Sequence, residues 1–182
     1  ESINTTSATT NHTQTLQRPA CVKFIQEHAV MGAKAGLFEK SARALGWDID
    51  MKPVDPETSR WKSGVRTLAR PGVKIVPIQP KTKDHQYAIA PGRAKIDEIQ
   101  AEDLCFLVAN MYGWAGGTKG STAASRTDDL SAIVASELTT QDEGPQAIVG
   151  DFNGHAANFS VLHDLIQNHG WMDLGADQQV NE

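Results

Sequence analysis

The sequence predicts a one-domain α/β sandwich, and three observations carry that reading. Short apolar, β-prone runs are mixed along the chain with amphipathic helical stretches, a pattern of layered strands and helices. No internal repeat and no linker divides the 182 residues, a length that suits a single domain, residues 1–182, with a sizeable core. Hydrophobic residues make up 40% and charged residues 21%, the balance of an ordinary globular domain.

The elements follow in order. Glu1-Ser2-Ile3-Asn4 suits the end of an edge strand, and the Thr-, Asn- and Ser-rich residues up to Leu16 suit a surface arm. Val22-Lys23-Phe24-Ile25-Gln26 is a compact buried strand. Ala33 to Leu45 is a helix with Leu37, Phe38, Ala42 and Leu45 on one face and Gly46 as its stop. Trp47 to Met51 is a short strand closed by Pro53 and Pro56, and the polar stretch from Asp55 to Ser63 is a loop. Gly64 to Leu68 and Val73 to Ile78 read as a strand pair around Arg70-Pro71-Gly72. Lys95 to Gln100 and Leu104 to Tyr112 read as a hairpin around Ala101-Glu102-Asp103. A Gly/Thr/Ser loop from Ala115 to Ser125 precedes a helix from Thr127 to Leu138. In that helix Leu130, Ile133, Val134 and Leu138 share a face, and Asp128 and Asp129 suit the positive end of the helix dipole. Ala147-Ile148-Val149 is a strand, and Asn158 to Asn168 is a helix with Phe159, Leu162 and Ile166 inward and Gly170 behind it.

Charge and cysteine content narrow the function classes. Seventeen Lys and Arg against 22 Asp and Glu give a net charge of −5, which argues against a protein that coats nucleic acid electrostatically but leaves room for a local basic groove. No run approaches the roughly 18 apolar residues of a membrane helix. Cys21 and Cys105 cannot build a disulfide framework and read as buried thiols. A reducing, intracellular location, nuclear or cytoplasmic, is expected.

The strongest chemical signal is Ala147-Ile148-Val149-Gly150-Asp151-Phe152-Asn153. An apolar strand delivers Asp151 and Asn153 at its C-terminal end, and residues two apart leave a strand on the same side. A carboxylate and an amide facing one point suit a divalent cation or an attacking water; the same four residues also suit a turn. Val22 to Gln26 likewise ends in an acid, Glu27, followed by His28, at the strand end where open α/β sheets place ligands. The strand Phe106 to Met111 runs into Tyr112, a donor for a phosphate oxygen or a capping aromatic.

Together, Ile3-Asn4, Phe24-Ile25-Gln26-Glu27-His28, Gly64-Val65 with Arg70, Val108-Ala109-Asn110-Met111-Tyr112 and Gly150-Asp151-Phe152-Asn153 resemble, in order and spacing, the endonuclease/exonuclease/phosphatase superfamily with its deoxyribonuclease-I-like fold. The resemblance extends from about Asn4 to Asp173. It implies a four-layer α/β sandwich of two packed mixed sheets flanked by helices. It implies a magnesium-dependent phosphoesterase, with manganese as an alternative metal. Glu27 would be the main metal ligand with Asn4 beside it, Asp151 would position or deprotonate the attacking water, Asn153 would orient the phosphate or the water, and Tyr112 would contact the phosphate. The Gln-Glu-His form and the loop before Gly64 resemble endonucleases of non-LTR retrotransposons, so nucleic acid, with DNA favoured, is the expected partner and no membrane is.

The sequence departs from the pattern in two places. Gly113, Trp114 and Ala115 follow the tyrosine where the family usually has Pro and Asn. The Ser-Asp-His of the family's last strand has no counterpart after Trp171-Met172-Asp173, and His163-Asp164 lies inside a predicted helix. The chain is therefore expected to lack its last strands and one catalytic histidine, with both ends cut. That expectation keeps a copy without turnover, and a phosphatase of small or lipid phosphates, beside the endonuclease reading.

Weaker candidates surround the motif. Lys52, Arg60, Trp61, Lys62, Arg66 and Arg70 combine basic groups with an aromatic, as a nucleic-acid groove does and as a solvated face also does. His155 follows Asn153 closely enough to line the rim of the site. Gly113 to Ser121 is not a nucleotide P-loop, because Thr118 precedes Lys119 where that pattern needs Gly. His155, His163 and His169 lack the spacing of a helical zinc site.

Overall fold

The computed structural model describes residues 1–4, 16–17, 19–26, 33–51, 64–81, 83, 85, 92–141 and 144–175. Among the described residues, eight strands form two four-stranded sheets. The first sheet has the order β1 (Ser2–Asn4), β2 (Val22–Gln26), β4 (Arg66–Ala69), β3 (Asp48–Met51), with β1 parallel to β2 and the other pairs antiparallel. The second has the order β5 (Val73–Pro77), β6 (Ala94–Ala101), β7 (Leu104–Tyr112), β8 (Gln146–Asp151), with only β7 and β8 parallel.

Strand alternation sorts the side chains into layers. On the outer face of the first sheet, Ile25, Ile49 and Leu68 pack against Phe38 and Ala42 of helix α1 (Ala33–Ala44). Between the sheets, Phe24 meets Ile99 and Val108. On the outer face of the second sheet, Ile96, Leu107, Ala109 and Met111 pack against Leu130, Val134 and Leu138 of helix α2 (Thr122–Thr140). Helix α3 (Ser160–Asn168) docks beside it through Phe159 and Leu162. The four layers expected from the motif resemblance are therefore present: helix, sheet, sheet, helices.

Several local expectations need correction. The segments flanking Arg70-Pro71-Gly72 are not paired. The turn exists, with the Val73 amide donating to Arg70 O at 3.1 Å. However, both edges of β4 are taken by β2 and β3, so β5 crosses to the other sheet. In α1, Phe38 and Ala42 are buried but Leu37 is 65% exposed, because one residue of offset turns a helical side chain by about 100°. Helix α2 starts at Thr122, not Thr127, since the Ser121 side chain caps it by accepting from the Ala124 amide. Asp128 consequently lies inside α2, and its carboxylate accepts the amides of Ser160 at 3.0 Å and Val161 at 2.8 Å, capping α3 instead. A 3-10 turn, Ala156–Asn158, leads into α3, which starts at Ser160 rather than at Asn158. Both cysteines are exposed rather than buried. The loop from Asp55 to Ser63 and most of the arm before Leu16 fall outside the described residues.

Candidate active site

The C-terminal ends of β1, β2, β7 and β8 lie at one end of the layer between the sheets. Asn4 is in register with Gln26, the last described residue before Glu27 in the sequence. Glu27, His28 and Trp61 themselves lie outside the described residues, as do Lys52, Arg60 and Lys62. In the other sheet Tyr112 is in register with Asp151 on the parallel strand β8. Both face the first sheet, as Asn110 two residues earlier does. Asn110 Oδ1 accepts from Gln26 Nε2 at 2.6 Å, which joins the two strand ends.

The loop after Asp151 is built by close backbone packing. Strand β8 ends at Asp151, so the same-side alternation expected for Asn153 does not hold: Asn153 has a φ of 55°, in the left-handed region. Its amide N–H donates to Asp151 Oδ1 at 2.9 Å, and its Nδ2 donates to Gly113 O at 3.1 Å. Asn153 thus braces the Asp151 carboxylate and ties the two strand ends. Glycine is required on both sides of this contact. A Cβ at Gly150 would stand 2.0 Å from Met111 O, and one at Gly113 would stand 2.5 Å from Phe152 O. The Gly113 that departs from the family's Pro-Asn pattern therefore accommodates the Gly150–Asn153 loop.

Arg93 is a neighbour that the sequence reading missed. Its guanidinium stacks between the rings of Tyr112, at 5.1 Å, and Trp114, at 4.4 Å, and donates to Gly113 O at 3.0 Å. The hairpin register was the available signal: Ala94 pairs with Met111, which sets Arg93 opposite Tyr112.

The side chains of two predicted substrate-binding arginines point elsewhere. Arg70 sits at the opposite end of the first sheet, where its Nη1 donates to Leu45 O at 2.8 Å and its guanidinium stacks on Trp47 at 4.0 Å. Arg66 points into the α1 layer. It is fully buried, stacked on Phe38 at 4.1 Å, and burial pushes its guanidinium down to about 9, against the nearby Glu39 carboxylate. Arg66 therefore stands near the strand ends by its backbone, in register with Ile25, but turns its side chain away from them, and Arg70 lies at the far end of the sheet. His155 is exposed on the loop that leads from Asn153 into the 3-10 turn.

Beneath the strand ends runs a buried polar seam. Lys95 pairs with Asp50 across the sheets at 2.5 Å and with Asp97 beside it. Asp97 Oδ2 accepts from the Thr67 hydroxyl at 2.6 Å. Burial pushes the Asp97 carboxyl above its ordinary range, against Lys95 and Thr67, which pull it down.

No protein-family model matches the chain, and no curated protein matches its sequence. Solved structures do. An AP endonuclease from Archaeoglobus fulgidus superposes with a TM-score of 0.66 at 13% identity, covering 100% of this chain and 74% of that one. A 3'-5' exonuclease, NExo, from Neisseria meningitidis gives 0.56 at 17%, covering 84% and 56%. The human Nocturnin catalytic domain with bound sulfate gives 0.53 at 15%, covering 81% and 56%.

The fold is that of the endonuclease/exonuclease/phosphatase proteins.

The chain spans a little over half the length of the Nocturnin and NExo structures. Among the described residues no group of three or more His, Cys, Asp and Glu gathers at one point. A hard cation such as Mg²⁺ keeps most of its waters and needs only one or two protein carboxylates. Asp151, beside the strand end that leads into Glu27, suits such a sparse oxygen donor set. No helix among the described residues is long and apolar enough to cross a membrane.

Proposed function

We propose that this chain is a metal-dependent phosphoesterase domain that cleaves phosphodiester bonds in nucleic acid, with DNA as the favoured substrate. The observation that carries the reading is the convergence of Tyr112 and Asp151, in register, with the β2 end that leads into Glu27, across the Gln26–Asn110 bridge. Among the proteins sharing the fold, one is an AP endonuclease, and NExo has been seen bound to a product DNA hairpin. Those facts describe those proteins and favour nucleic acid here.

Glu27 and Asn4 are the residues that would hold Mg²⁺, which when bound neutralises charge on the phosphoryl oxygens. The chain's own groups do the rest. The Asp151 carboxylate accepts a proton from the attacking water, and Tyr112 donates to a phosphate oxygen. Asn153 holds Asp151 in place through its backbone amide and through Gly113.

The test is nicking of supercoiled plasmid in Mg²⁺ by the wild-type chain, Glu27→Gln and Asp151→Asn. Each substitution is expected to lower the rate by about 100-fold or more, and a chelator is expected to abolish nicking. Equal nicking by wild type and Glu27→Gln would remove Glu27 from the metal site. Phosphate release from a monoester, with plasmid left intact, would replace the nuclease reading by a phosphatase.

A further inference from the structure

The interior of a β-sandwich is ordinarily apolar, because side chains from both inner faces interdigitate there without water. Here the layer changes character along its length. Asn110 is fully buried on β7, two residues before Tyr112 and directly beneath it. It is bonded across the layer to two strands of the opposite sheet. Its Nδ2 donates to Arg66 O on β4 at 3.0 Å and to Ile25 O on β2 at 3.4 Å, and its Oδ1 accepts from Gln26 Nε2 at 2.6 Å. Gln26 Nε2 also donates to the Ser2 hydroxyl on β1 at 3.1 Å. One buried amide pair therefore links β1, β2, β4 and β7.

The orientation of this pair follows from chemistry. Backbone carbonyls only accept, so the NH₂ end of Asn110 must face Ile25 and Arg66. Its carbonyl end then faces Gln26, which must present its own NH₂. Neither amide can be exchanged for a carboxylate without placing acceptor against acceptor in a buried layer, where an unmade hydrogen bond is most costly. Hydrogen bonds are directional, whereas the apolar contacts of Phe24 and Val108 one pair further down are not. The amide pair sits one residue before Glu27, two before Tyr112 and, through Ser2, two before Asn4.

We infer that Asn110, through its bridge to Gln26, is a positioning residue that sets the spacing between the two halves of the proposed active site: the β1 and β2 ends, with Asn4 and the Gln26 that precedes Glu27, on one sheet, and Tyr112 and Asp151 on the other. The inference rests on the phosphoesterase reading for its catalytic consequence, while its structural part stands on the bridge alone. Asn110 touches neither metal nor phosphate. Its loss moves the metal-holding half relative to the half that activates water, so the main effect falls on the metal requirement.

The experiment compares wild type, Asn110→Asp, Asn110→Ala and Val108→Ala as full chains. Val108 lies on the same strand and the same face, in the apolar part of the layer, and its truncation controls for lost stability. Three quantities are read: the Mg²⁺ concentration for half-maximal plasmid nicking, the thermal midpoint, and amide hydrogen exchange at Gly113 and Asn153. Both Asn110 variants are expected to need about tenfold more Mg²⁺, in the range typical of residues that orient metal ligands. Val108→Ala is expected to lower the thermal midpoint while keeping the Mg²⁺ requirement within about twofold of wild type. A wild-type Mg²⁺ requirement in Asn110→Ala, or an equal shift in Val108→Ala, overturns the inference. Asn110→Ala serves alone if the charge of Asn110→Asp prevents folding. If the wild-type chain shows no Mg²⁺-dependent nicking, the phosphoesterase reading fails by itself, and hydrogen exchange decides the positioning role. Faster exchange at Gly113 and Asn153 in Asn110→Ala, with Ile99 unchanged, supports it; unchanged exchange at Gly113 and Asn153 overturns it.

Discussion

The two ends of the layer between the sheets are held by different forces. Toward the end away from the strand C-termini, Ile99 clusters with Val22, Val73, Ile75 and Phe106, and Phe24, Val108, Ala147 and Val149 carry this apolar cluster into mid-layer. Toward the other end Gln26, Lys95 and Asn110 reach across the layer by hydrogen bonds and an ion pair to Asp50, with the Thr67–Asp97 bond at mid-layer in register with Phe24 and Val108, and the Gly64 amide donates to Gly92 O at 3.0 Å. Apolar burial is non-directional and scales with area. A hydrogen bond weakens steeply off its preferred distance and angle. The apolar end can thus supply cohesion while the polar end fixes position, and the candidate active site stands on the polar end.

The contrast breaks most visibly at Lys95. Lys95→Met leaves the buried Asp97 and the part-exposed Asp50 without their cation, so unfolding free energy should fall by about 3–5 kcal/mol. Denaturant unfolding measures it, and a loss below about 1 kcal/mol would show that the seam is solvated rather than buried. At the apolar end, Ile99→Val removes one methylene and should cost about 0.5–1.5 kcal/mol, with plasmid nicking unchanged at saturating Mg²⁺. A nicking defect there would mean that the apolar end also sets the site's geometry.

The smallest effect is in pH dependence. The Asp97 carboxyl is raised above its ordinary range, so the folded chain holds that proton more tightly than the unfolded chain. Its contribution to stability is present at pH below the ordinary carboxylate pKa and is lost as pH rises through the raised value. Thermal midpoints of wild type and Asp97→Asn, followed from acid toward neutral pH, should diverge in that direction, with wild type losing the more. Parallel curves would remove Asp97 from the pH response.

The same contrast explains what the sequence disclosed. Strand β2, the β6–β7 hairpin and β8 are legible because each is a local apolar run ended by a turn or an acid. The placement of Asn4, Gln26, Tyr112 and Asp151 at one end follows from strand direction once the motif order is recognised. Other features depend on partners far away in the chain. The turn at Arg70-Pro71-Gly72 looks like a hairpin turn, yet sheet membership was decided by β2 and β3 occupying both edges of β4. Arg66 and Arg70 read as a basic strip, but alternation sends Arg66 into the α1 core, and Trp47 holds Arg70 at the far end. Asp128 suits a helix start, but it caps α3 rather than its own helix. Arg93 carries no motif, and only the hairpin register sets it beside Tyr112.

The most direct measurement of the central claim is nuclear magnetic resonance of the labelled chain titrated with Mn²⁺ as a paramagnetic stand-in for Mg²⁺. The account predicts selective broadening of the amide signals of Gln26, Tyr112 and Asp151 at the polar end, with Cys21, Arg70 and Cys105 at the opposite strand ends left sharp. Broadening centred on Cys21, Arg70 and Cys105, or on His163 and Asp164 in α3, with the Asp151 signal unaffected, would contradict it.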